Sequence, residues 1–279
     1  MSVFLLNEPT PFVEALKHFL AKLTQPSAMT TAEWREIDAD IRRQAFFSAQ
    51  TELEALLQKY RVIIESIANP TTGMSKDRES KINPSGFVTS GYDPASARLE
   101  IKKFLNTSGF QPEEGIRGTL LDLSSDARID LVIKTNVQLA HGAGRFVQQN
   151  QDQDVVDAWP ALELMRFEER KEPRDWPHRW MLACQVAGDA VSAGILGGTG
   201  RMVALKSSDV WQQLGDGAGG FDDTLGNPYP PFAFASGMWT VELDRREAEE
   251  LGLLQAGEKA EPAGFDLSKL FSTPEESAA

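Results

Sequence analysis

The sequence has few of the residues on which redox and metal chemistry depend. It contains one cysteine, Cys184, and three widely separated histidines, His18, His141 and His178, in 279 residues. A single cysteine excludes an internal disulfide framework and a cysteine-rich metal site. The separation of the histidines argues against a zinc site, which needs several ligands close together. We therefore expect no metal and no cofactor.

Long apolar runs are also lacking. No stretch approaches eighteen consecutive apolar residues, so we expect no membrane-spanning helix and no membrane anchor. The first residues, MSVFLLNEPTPF, contain no basic leader and only a short apolar patch. This pattern differs from that of a secretion signal, and none is expected.

The positive charge that nucleic-acid binding requires is scarce in the second half of the chain. The formal net charge is −13, and residues 1–121 contribute little to it, with 14 Lys or Arg against 15 Asp or Glu. Residues 122–279 carry 14 Lys or Arg against 26 Asp or Glu. Because affinity for duplex DNA depends on Lys and Arg displacing counterions, we expect no dominant DNA-binding role. A local basic strip is the alternative that stays open, and we expect at most a weak contact with DNA.

The first half has the apolar spacing of α-helices. In TPFVEALKHFLAKL, Thr10 is a candidate cap and Pro11 occupies the first helical position. The predicted buried face of this helix comprises Phe12, Leu16, Phe19, Leu20 and Leu23.

The next stretch, residues 30–69, predicts one helix of nearly forty residues or two collinear helices. Thr30 and Glu33 have the spacing of a capping box. The predicted apolar stripe comprises Trp34, Ile37, Ile41, Ala45, Ala49, Leu53, Leu56, Tyr60, Ile64 and Ile67. Such a length indicates a coiled or bundled packing partner.

Two further helices are predicted after a polar hinge at Thr71–Gly91. The first, DPASARLEIKKFLNTSG, starts at Asp93 and Pro94. The second, SSDARIDLVIKTNVQLAHGAGR, is capped by Ser124 or Ser125 and has as its buried face Ile129, Val132, Ile133, Val137 and Ala140. Gly142 and Gly144 fit either the end of this helix or a close crossing with another helix.

The second half is rich in glycine, proline and tryptophan. GRMVALK predicts a strand, and DRREAEELGLL predicts a last helix. The predicted fold class is therefore mainly α with an α+β C-terminal module: a long N-terminal helical arm or bundle, followed by a compact Gly/Pro/Trp-rich module. The predicted segments are the helical region 1–121, the module 122–258 and a flexible tail, 259–279.

Candidate catalytic patterns are weak throughout. AGILGGTGRMVALKSS has Arg201 where a phosphate-binding loop has Lys, so we interpret it as a flexible glycine turn. EERKEPRDWPHRW places His178 among carboxylates and arginines without a companion catalytic motif, which favours a surface ion-pair patch. The pair Asp222–Asp223 fits a solvated turn, and Cys184 lies among apolar residues, which indicates a buried thiol rather than a nucleophile.

The residues typical of interfaces are plentiful. The stretch GNPYPPFAFASGMWT, from Gly226 to Thr240, combines three prolines with four aromatic residues and no charge. Because proline lowers the entropy lost on immobilisation, the stretch fits a rigid docking element. A loop folded back on its own core is the alternative. The predicted contact residues are Trp211, Tyr229, Pro230, Pro231, Phe232, Phe234, Arg145 and Arg179.

The arrangement of these pieces resembles the minor head, or head morphogenesis, proteins of tailed bacteriophages, the Mu F-like family. Three stretches carry the resemblance: IRRQAFFSAQ, RIDLVIKTNVQLAHGAGR, and Trp211 followed by GNPYPPFAFASGM. Many relatives place Cys-Arg-Cys after the diproline, whereas this chain has Ala235–Met238 there. Any metal or thiol role of those cysteines is therefore not transferred to this chain.

The resemblance implies a low-copy structural component of the phage head, near the portal, that assists head assembly or DNA delivery and is not an enzyme. The implied partners are the portal protein, the major capsid protein or both, with the host cytoplasm as the place of assembly. A small-molecule ligand is not expected. Two alternatives stay open: a virion-carried enzyme or effector of the hydrolase type, and a connector or tail subunit.

Overall fold

The computed structural model describes residues 12–68 and 94–271. These residues form eleven α-helices, five short strands and one 3₁₀ helix, so the chain is mainly α-helical with a smaller β component. Its contacts divide it into two compact units. The first unit comprises the described residues up to Gly144 and those from Lys269 onward, and the second is Arg145–Ser268.

The first unit contains a set of helices and a two-stranded parallel sheet. Strands β1 and β2 pair from Leu23↔Ala45 to Gln25↔Phe47. The elements in chain order are α1 (Val13–Ala21), β1 (Leu23–Gln25), α2 (Thr31–Arg35), α3 (Ala39–Gln44), β2 (Ala45–Phe47), α4 (Glu54–Ala68), α5 (Pro94–Thr107) and the start of α6 (Asp126–Asn150).

The prediction of one helix of nearly forty residues, or of two collinear helices, over residues 30–69 is wrong, because this stretch contains α2, α3, the strand β2 and α4. The capping box is present, since Thr30 Oγ1 accepts from the Glu33 amide and the Glu33 carboxylate accepts from the Thr30 amide. Helix α2 nevertheless ends after one turn. Asp38 then caps a new helix by accepting from the Asp40 amide.

Tertiary pairing explains why the helical pattern fails at residues 45–47. Phe46 is buried and its ring lies 5.8 Å from that of Phe19, which requires an extended backbone beside β1. Adjacent side chains of a strand point to opposite faces, and Phe47 accordingly stacks on Trp34. Two members of the predicted stripe, Ile41 and Leu53, are 55% and 42% exposed. The stripe therefore does not form one buried face.

The core of the first unit is formed by helices α1, α4, α5 and α6. The predicted face of α6 is confirmed, because Ile129, Val132 and Ala140 are buried and Ser125 Oγ accepts from the Arg128 amide at the helix start. The predicted face of α1 is wrong at Leu20 and Leu23, which are exposed. Its buried side chains are Ala15, His18 and Phe19.

Gly144 lies at a close crossing of α6 and α1. A Cβ at Gly144 would lie 2.6 Å from the Ala15 amide nitrogen and 2.9 Å from the Ala15 Cα. Helix α6 continues to Asn150, so of the two sequence interpretations the close crossing is confirmed for Gly144.

We expect Gly144→Ala to destabilise the first unit by about 1–3 kcal/mol, because the added methyl group overlaps backbone atoms that belong to another helix. Urea-induced unfolding followed by circular dichroism measures the change. The matched control is Gly197→Ala in α9 (Ala190–Thr199), where a Cβ has nothing within 4 Å. This control is expected to be neutral or to stabilise by up to about 1 kcal/mol. Equal effects of both substitutions would contradict the crossing.

The second unit is an α+β structure with a three-stranded antiparallel sheet. The strand order is β4-β3-β5. Its elements are the end of α6, α7 (Gln153–Ala158), β3 (Ala161–Arg166), α8 (Trp176–Ala187), α9, β4 (Val203–Leu205), α10 (Val210–Asp216), β5 (Met238–Leu243) and α11 (Arg245–Glu250). The predicted strand in GRMVALK and the predicted last helix are confirmed as β4 and α11.

The interpretation of AGILGGTGR as a flexible turn is wrong. Residues Ala190–Thr199 form helix α9, and Gly200 ends it in the left-handed conformation. Asp189 starts the helix, since its carboxylate accepts from the amide and the hydroxyl of Ser192. This cap and the burial of Ile195 outweigh the low helix propensity of the glycines.

The compact units do not follow the predicted segments. Part of α6 belongs to the core of the first unit, although the sequence placed it in the second module. Within the predicted tail, Ala260 packs with Val156 and Leu254, and Leu270 is buried in a 3₁₀ helix, Leu267–Leu270. The hinge Thr71–Gly91, the cap Thr10 and residues 272–279 lie outside the described residues.

Candidate interaction surface

The proline-aromatic stretch Gly226–Thr240 and the residues just before it are joined by hydrogen bonds between residues close in sequence. The Leu225 amide donates to the Phe232 carbonyl, and the Phe234 amide donates to the Asp223 carbonyl. Inside the turn, Asn227 Nδ2 donates to the carbonyls of Tyr229 and Pro231. The peptide bond between Pro230 and Pro231 is cis. The stretch is thus a closed turn rather than an extended arm.

The aromatic rings of this turn are packed inside the unit. Trp211 lies between Trp180, 5.2 Å away, and Phe232, 6.0 Å away, and its Nε1 donates to the Leu205 carbonyl. Tyr229 contacts Phe146 at 5.4 Å. The side chains of Trp211, Tyr229 and Phe232 are buried, as are both residues of the diproline. The structure therefore departs from the predicted docking element at these positions, where the alternative, a loop folded on its own core, applies.

The turn also lies directly on the backbone of α10. The Gly226 amide donates to the Gly215 carbonyl at 2.8 Å. A Cβ at Gly215 would lie 2.1 Å from the Asn227 carbonyl oxygen. Only glycine at position 215 permits this approach, which fixes the turn against the helix.

An ion-pair network holds the two ends of the turn to α8 and to the segment that precedes it. Asp223 accepts from Arg174 Nε at 2.6 Å and from both terminal nitrogens of Arg179, at 2.7 and 3.2 Å. Arg174 also donates to the Phe234 carbonyl. The sequence interpretation of this region as an ion-pair patch is therefore confirmed, although it joins residues distant in the chain.

The two arginines predicted to make contacts differ in their surroundings. Arg179 is occupied by Asp223, and its guanidinium lies 4.1 Å above the Phe221 ring. Arg145 is partly exposed and has no ion pair or side-chain hydrogen bond to other described residues. Of the eight predicted residues, Phe234 and the two arginines keep some exposed surface, and the other five are buried.

We expect Asp223→Asn to loosen the turn and to lower the free energy of unfolding of the second unit by about 1–3 kcal/mol, because two guanidinium groups lose a charged acceptor. Urea denaturation followed by tryptophan fluorescence measures the loss. Glu250→Gln is the control, since its pair with Arg246 is largely exposed and contributes less than about 1 kcal/mol. A loss at Asp223 no larger than that of the control would show that the network does not hold the turn.

The potentially reactive side chains of this unit differ in their exposure to solvent. Cys184 is buried, and burial, with the nearby Asp189 charge, raises the pKa of its thiol to about 12. His178 is exposed on α8. Among the described residues, no three His, Cys, Asp or Glu side chains come together in a way that would hold a metal ion.

The outer face of the sheet presents apolar side chains at one end. Directly opposed residues of an antiparallel pair share a face, so Met165 and Trp239 are neighbours, as are Glu163 and Val241. The Phe167 amide extends the ladder by donating to the Gly237 carbonyl. Met165, Phe167 and Val241 are 42%, 46% and 37% exposed, and Trp239 is partly exposed. We call these four residues the outer sheet patch.

The rest of this face is covered by the unit itself. Ala161, Val203 and Leu243 pack with Ile195 of α9 and Ala248 of α11. Between this covered part and the outer sheet patch, Arg201 forms ion pairs with Glu163 at 2.6 Å and with Glu247 at 2.8 Å. These hydrogen bonds raise the pKa of Arg201 and keep its charge in place. The outer sheet patch therefore begins where the internal packing ends.

Sequence reasoning did not identify the outer sheet patch. Its signal was present in the alternation of ALELMRF, in which Ala161, Glu163, Met165 and Phe167 fall on one side of a strand. The alternation was obscured because both faces of the strand are largely apolar. The exposure of three of the four side chains depends on which part of the sheet face α9 and α11 cover, because Ile195 and Ala248 pack only at the Ala161 end.

No helix in the described part of the chain combines the length and the apolar character needed to cross a lipid bilayer. Comparisons with models of protein families, with curated proteins and with solved structures found no match.

Proposed function

We propose that this chain is a structural, assembly-type component of a tailed-phage virion, a minor head protein that acts by binding neighbouring protein subunits. The order of sequence features supports the family: an Arg followed by an apolar run and a Gly-Arg pair within one long helix, then an aromatic residue, a diproline and a glycine. The portal protein and the major capsid protein are the partners that this resemblance suggests. The location is the portal-proximal part of the head.

The observation that carries the binding role is the outer sheet patch. Contiguous exposed apolar side chains rimmed by polar residues are the kind of surface that marks sites of protein contact. Met, Phe and Trp are also residue types enriched in interfaces. The patch lies on regular strands, so binding a partner requires little ordering of the backbone.

Contact with packaged DNA is a minor part of this proposal. Arg145 offers a guanidinium without an ion pair in the described residues, whereas Arg174 and Arg179 are occupied by Asp223. The net charge of −13 limits such a contact to a weak one.

Complementation of a gene deletion tests the proposed function. We expect deletion to abolish infectious particles, the unchanged gene to restore them, and Phe167→Ser with Val241→Thr to fail, because the patch becomes polar. Val186→Ser, on exposed α8 surface of the same unit, is the matched control and should restore infectivity. Full yields of infectious particles from the deletion strain would contradict the assembly role. Full restoration by the patch variant would contradict the role of the patch.

A further inference from the structure

Three side chains with unused hydrogen-bond donors lie together at the end of α6, in the second unit. Arg145 and Gln149 are four residues apart, so their side chains lie on the same face of α6. Lys206, directly after β4, reaches this turn of the helix, since its Nζ donates to the Gln149 carbonyl at 3.0 Å. We call Arg145, Gln149 and Lys206 the α6 donor cluster.

Each member of the α6 donor cluster has an N–H group with no acceptor among the described residues. Gln149 is 5% exposed, and its Nε2 is buried without a hydrogen-bond partner there. The Lys206 ammonium has three donors, of which two go to the Gln149 carbonyl and to Glu242 Oε1. Arg145 is partly exposed and makes no ion pair or side-chain hydrogen bond in the described part of the chain. A buried donor without an acceptor destabilises the folded state, so a bound acceptor is stabilising here.

Positive charge exceeds negative charge in the α6 donor cluster. The side chain of Lys206 is fully buried, and Glu242 Oε1 pairs with it at 2.8 Å. Burial lowers the pKa of Lys206, Glu242 opposes this change, and the Arg145 charge adds to it. No other charged group of the described residues shifts this pKa. Two cations therefore share one carboxylate, in a chain whose net charge is −13.

We propose that the α6 donor cluster binds a small oxyanion of the phosphate or sulfate type. Guanidinium and ammonium groups are favourable donors to such ions, and the amide of Gln149 adds a directed hydrogen bond. Arg145 is the member that solvent reaches, so it makes the first contact with an entering ion. A water molecule accepts the same hydrogen bonds but leaves the excess positive charge, whereas an anion balances it. This inference does not rest on the proposed virion role.

Two sources supply this chemistry, namely free inorganic phosphate and the phosphodiester groups of nucleic acid. Two of the three donor side chains, those of Gln149 and Lys206, are buried. A phosphodiester group is flanked by two sugars, so it reaches buried donors less readily than a free ion does. The free ion is therefore the source that the structure favours.

Isothermal titration calorimetry of the purified full-length protein with inorganic phosphate, at an ionic strength held constant with chloride, tests the site. We expect saturable binding of one phosphate per chain. Arg145→Gln should weaken this binding by about tenfold or more, because a charge-assisted hydrogen bond to the ion is lost. Arg145→Lys, which keeps the charge, should have an intermediate affinity. Arg246→Gln is the matched control, since it removes the same charge from an exposed position of α11, and it should bind phosphate like the wild type.

Nuclear magnetic resonance spectroscopy tests the buried contact. The side-chain amide signal of Gln149 is assigned by its loss in Gln149→Leu. Added phosphate should shift this signal in the wild type and leave it unchanged in Arg145→Gln. Unfolding curves like that of the wild type confirm that the variants are folded.

Three results would overturn the proposal: no saturable binding by the wild type, equal affinities of Arg145→Gln and the wild type, or equal losses in Arg145→Gln and Arg246→Gln. The last would show a general effect of charge. A short DNA duplex added to the phosphate complex distinguishes the two sources. An unchanged phosphate affinity identifies the free ion, and displacement of phosphate that depends on Arg145 identifies a nucleic-acid phosphate. Because Arg145 is not part of the outer sheet patch, the complementation experiment tests the assembly role separately.

Discussion

Phe232→Ala is expected to lower the free energy of unfolding of the second unit by about 3–5 kcal/mol, the cost of truncating a fully buried phenylalanine. The ring stacks on Trp211 and lies in the core that also contains Trp180 and Met238, so its removal leaves a cavity that these large rings cannot fill. Urea denaturation followed by tryptophan fluorescence measures the loss. Five of the six tryptophans lie in this unit, and only Trp34 lies in the other.

Phe234→Ala is the matched control, two residues along the same turn. Its side chain is partly exposed, and the bond from its amide to the Asp223 carbonyl does not depend on the ring. We expect a cost well below that of Phe232→Ala. If Phe232→Ala unfolds at the same urea concentration as the wild type, the turn does not complete the core of the unit, and the docking interpretation of its rings returns.

Acidification is expected to destabilise the first unit through His18. Burial first, and then the nearby Lys22 charge, lower its pKa to about 3 from 6.5, against the opposing hydrogen bond to the Leu270 carbonyl. Nδ1 donates that bond, so Nε2 must take the added proton. Nε2 is buried and has no hydrogen-bond partner among the residues that the structure describes, so the charged ring is disfavoured in the folded state.

The direction in which pH changes the stability follows from the pKa of His18 in the two states, about 3 in the folded protein and 6.5 in the unfolded chain. Above pH 6.5 the ring is neutral in both states and contributes no pH dependence. Below pH 6.5 His18 binds a proton in the unfolded chain but stays neutral in the folded protein. The free energy of unfolding therefore falls as the pH decreases, until the pH reaches about 3. Because one pKa unit corresponds to 1.36 kcal/mol, the loss of unfolding free energy is about 2 kcal/mol at pH 5 and about 4 kcal/mol at pH 3.

His18→Leu isolates this contribution from those of other titrating groups. At pH 8 the variant should be less stable than the wild type by about 1–2 kcal/mol, because the Leu270 carbonyl loses its donor. At pH 4 the order should reverse, since the wild type alone then has the histidine penalty. Unfolding curves in urea at both pH values, followed by circular dichroism, measure the reversal. A constant difference between the two proteins from pH 8 to pH 4 would contradict the buried neutral histidine.

Local signals in the sequence predicted local structure. The spacing of Thr30 and Glu33 predicted a capping box, and Ser125 was a correct candidate for the start of α6. Such contacts join residues three positions apart and depend little on the rest of the molecule. The strand β4 and the helices α5, α6 and α11 were predicted for the same reason, from short patterns that agree with the tertiary environment.

The errors came where side-chain contacts outside the apolar pattern decide the backbone. Ala45–Phe47 continue a helical pattern, but pairing with β1 and packing on Phe19 make them a strand. The glycines of α9 suggested a turn, but the adjacent Asp189 cap and the burial of Ile195 make a helix. In both segments these contacts outweigh an intrinsic preference of less than about 1 kcal/mol per residue.

The candidate interaction surface could also be predicted only in part from the sequence. Composition correctly drew attention to GNPYPPFAFASGMWT, yet its rings fill the core because Trp211 and Gly215 provide a surface on which the turn folds. The outer sheet patch depends on which part of a sheet face α9 and α11 leave uncovered. That information exists only in the tertiary structure.

The location of this chain in an intact particle tests the central claim most directly, and cryo-electron microscopy of purified virions measures it. We expect density for the chain near the portal, with Met165, Phe167 and Val241 buried against a neighbouring subunit. A particle without this chain, or one in which these side chains face solvent, would contradict it.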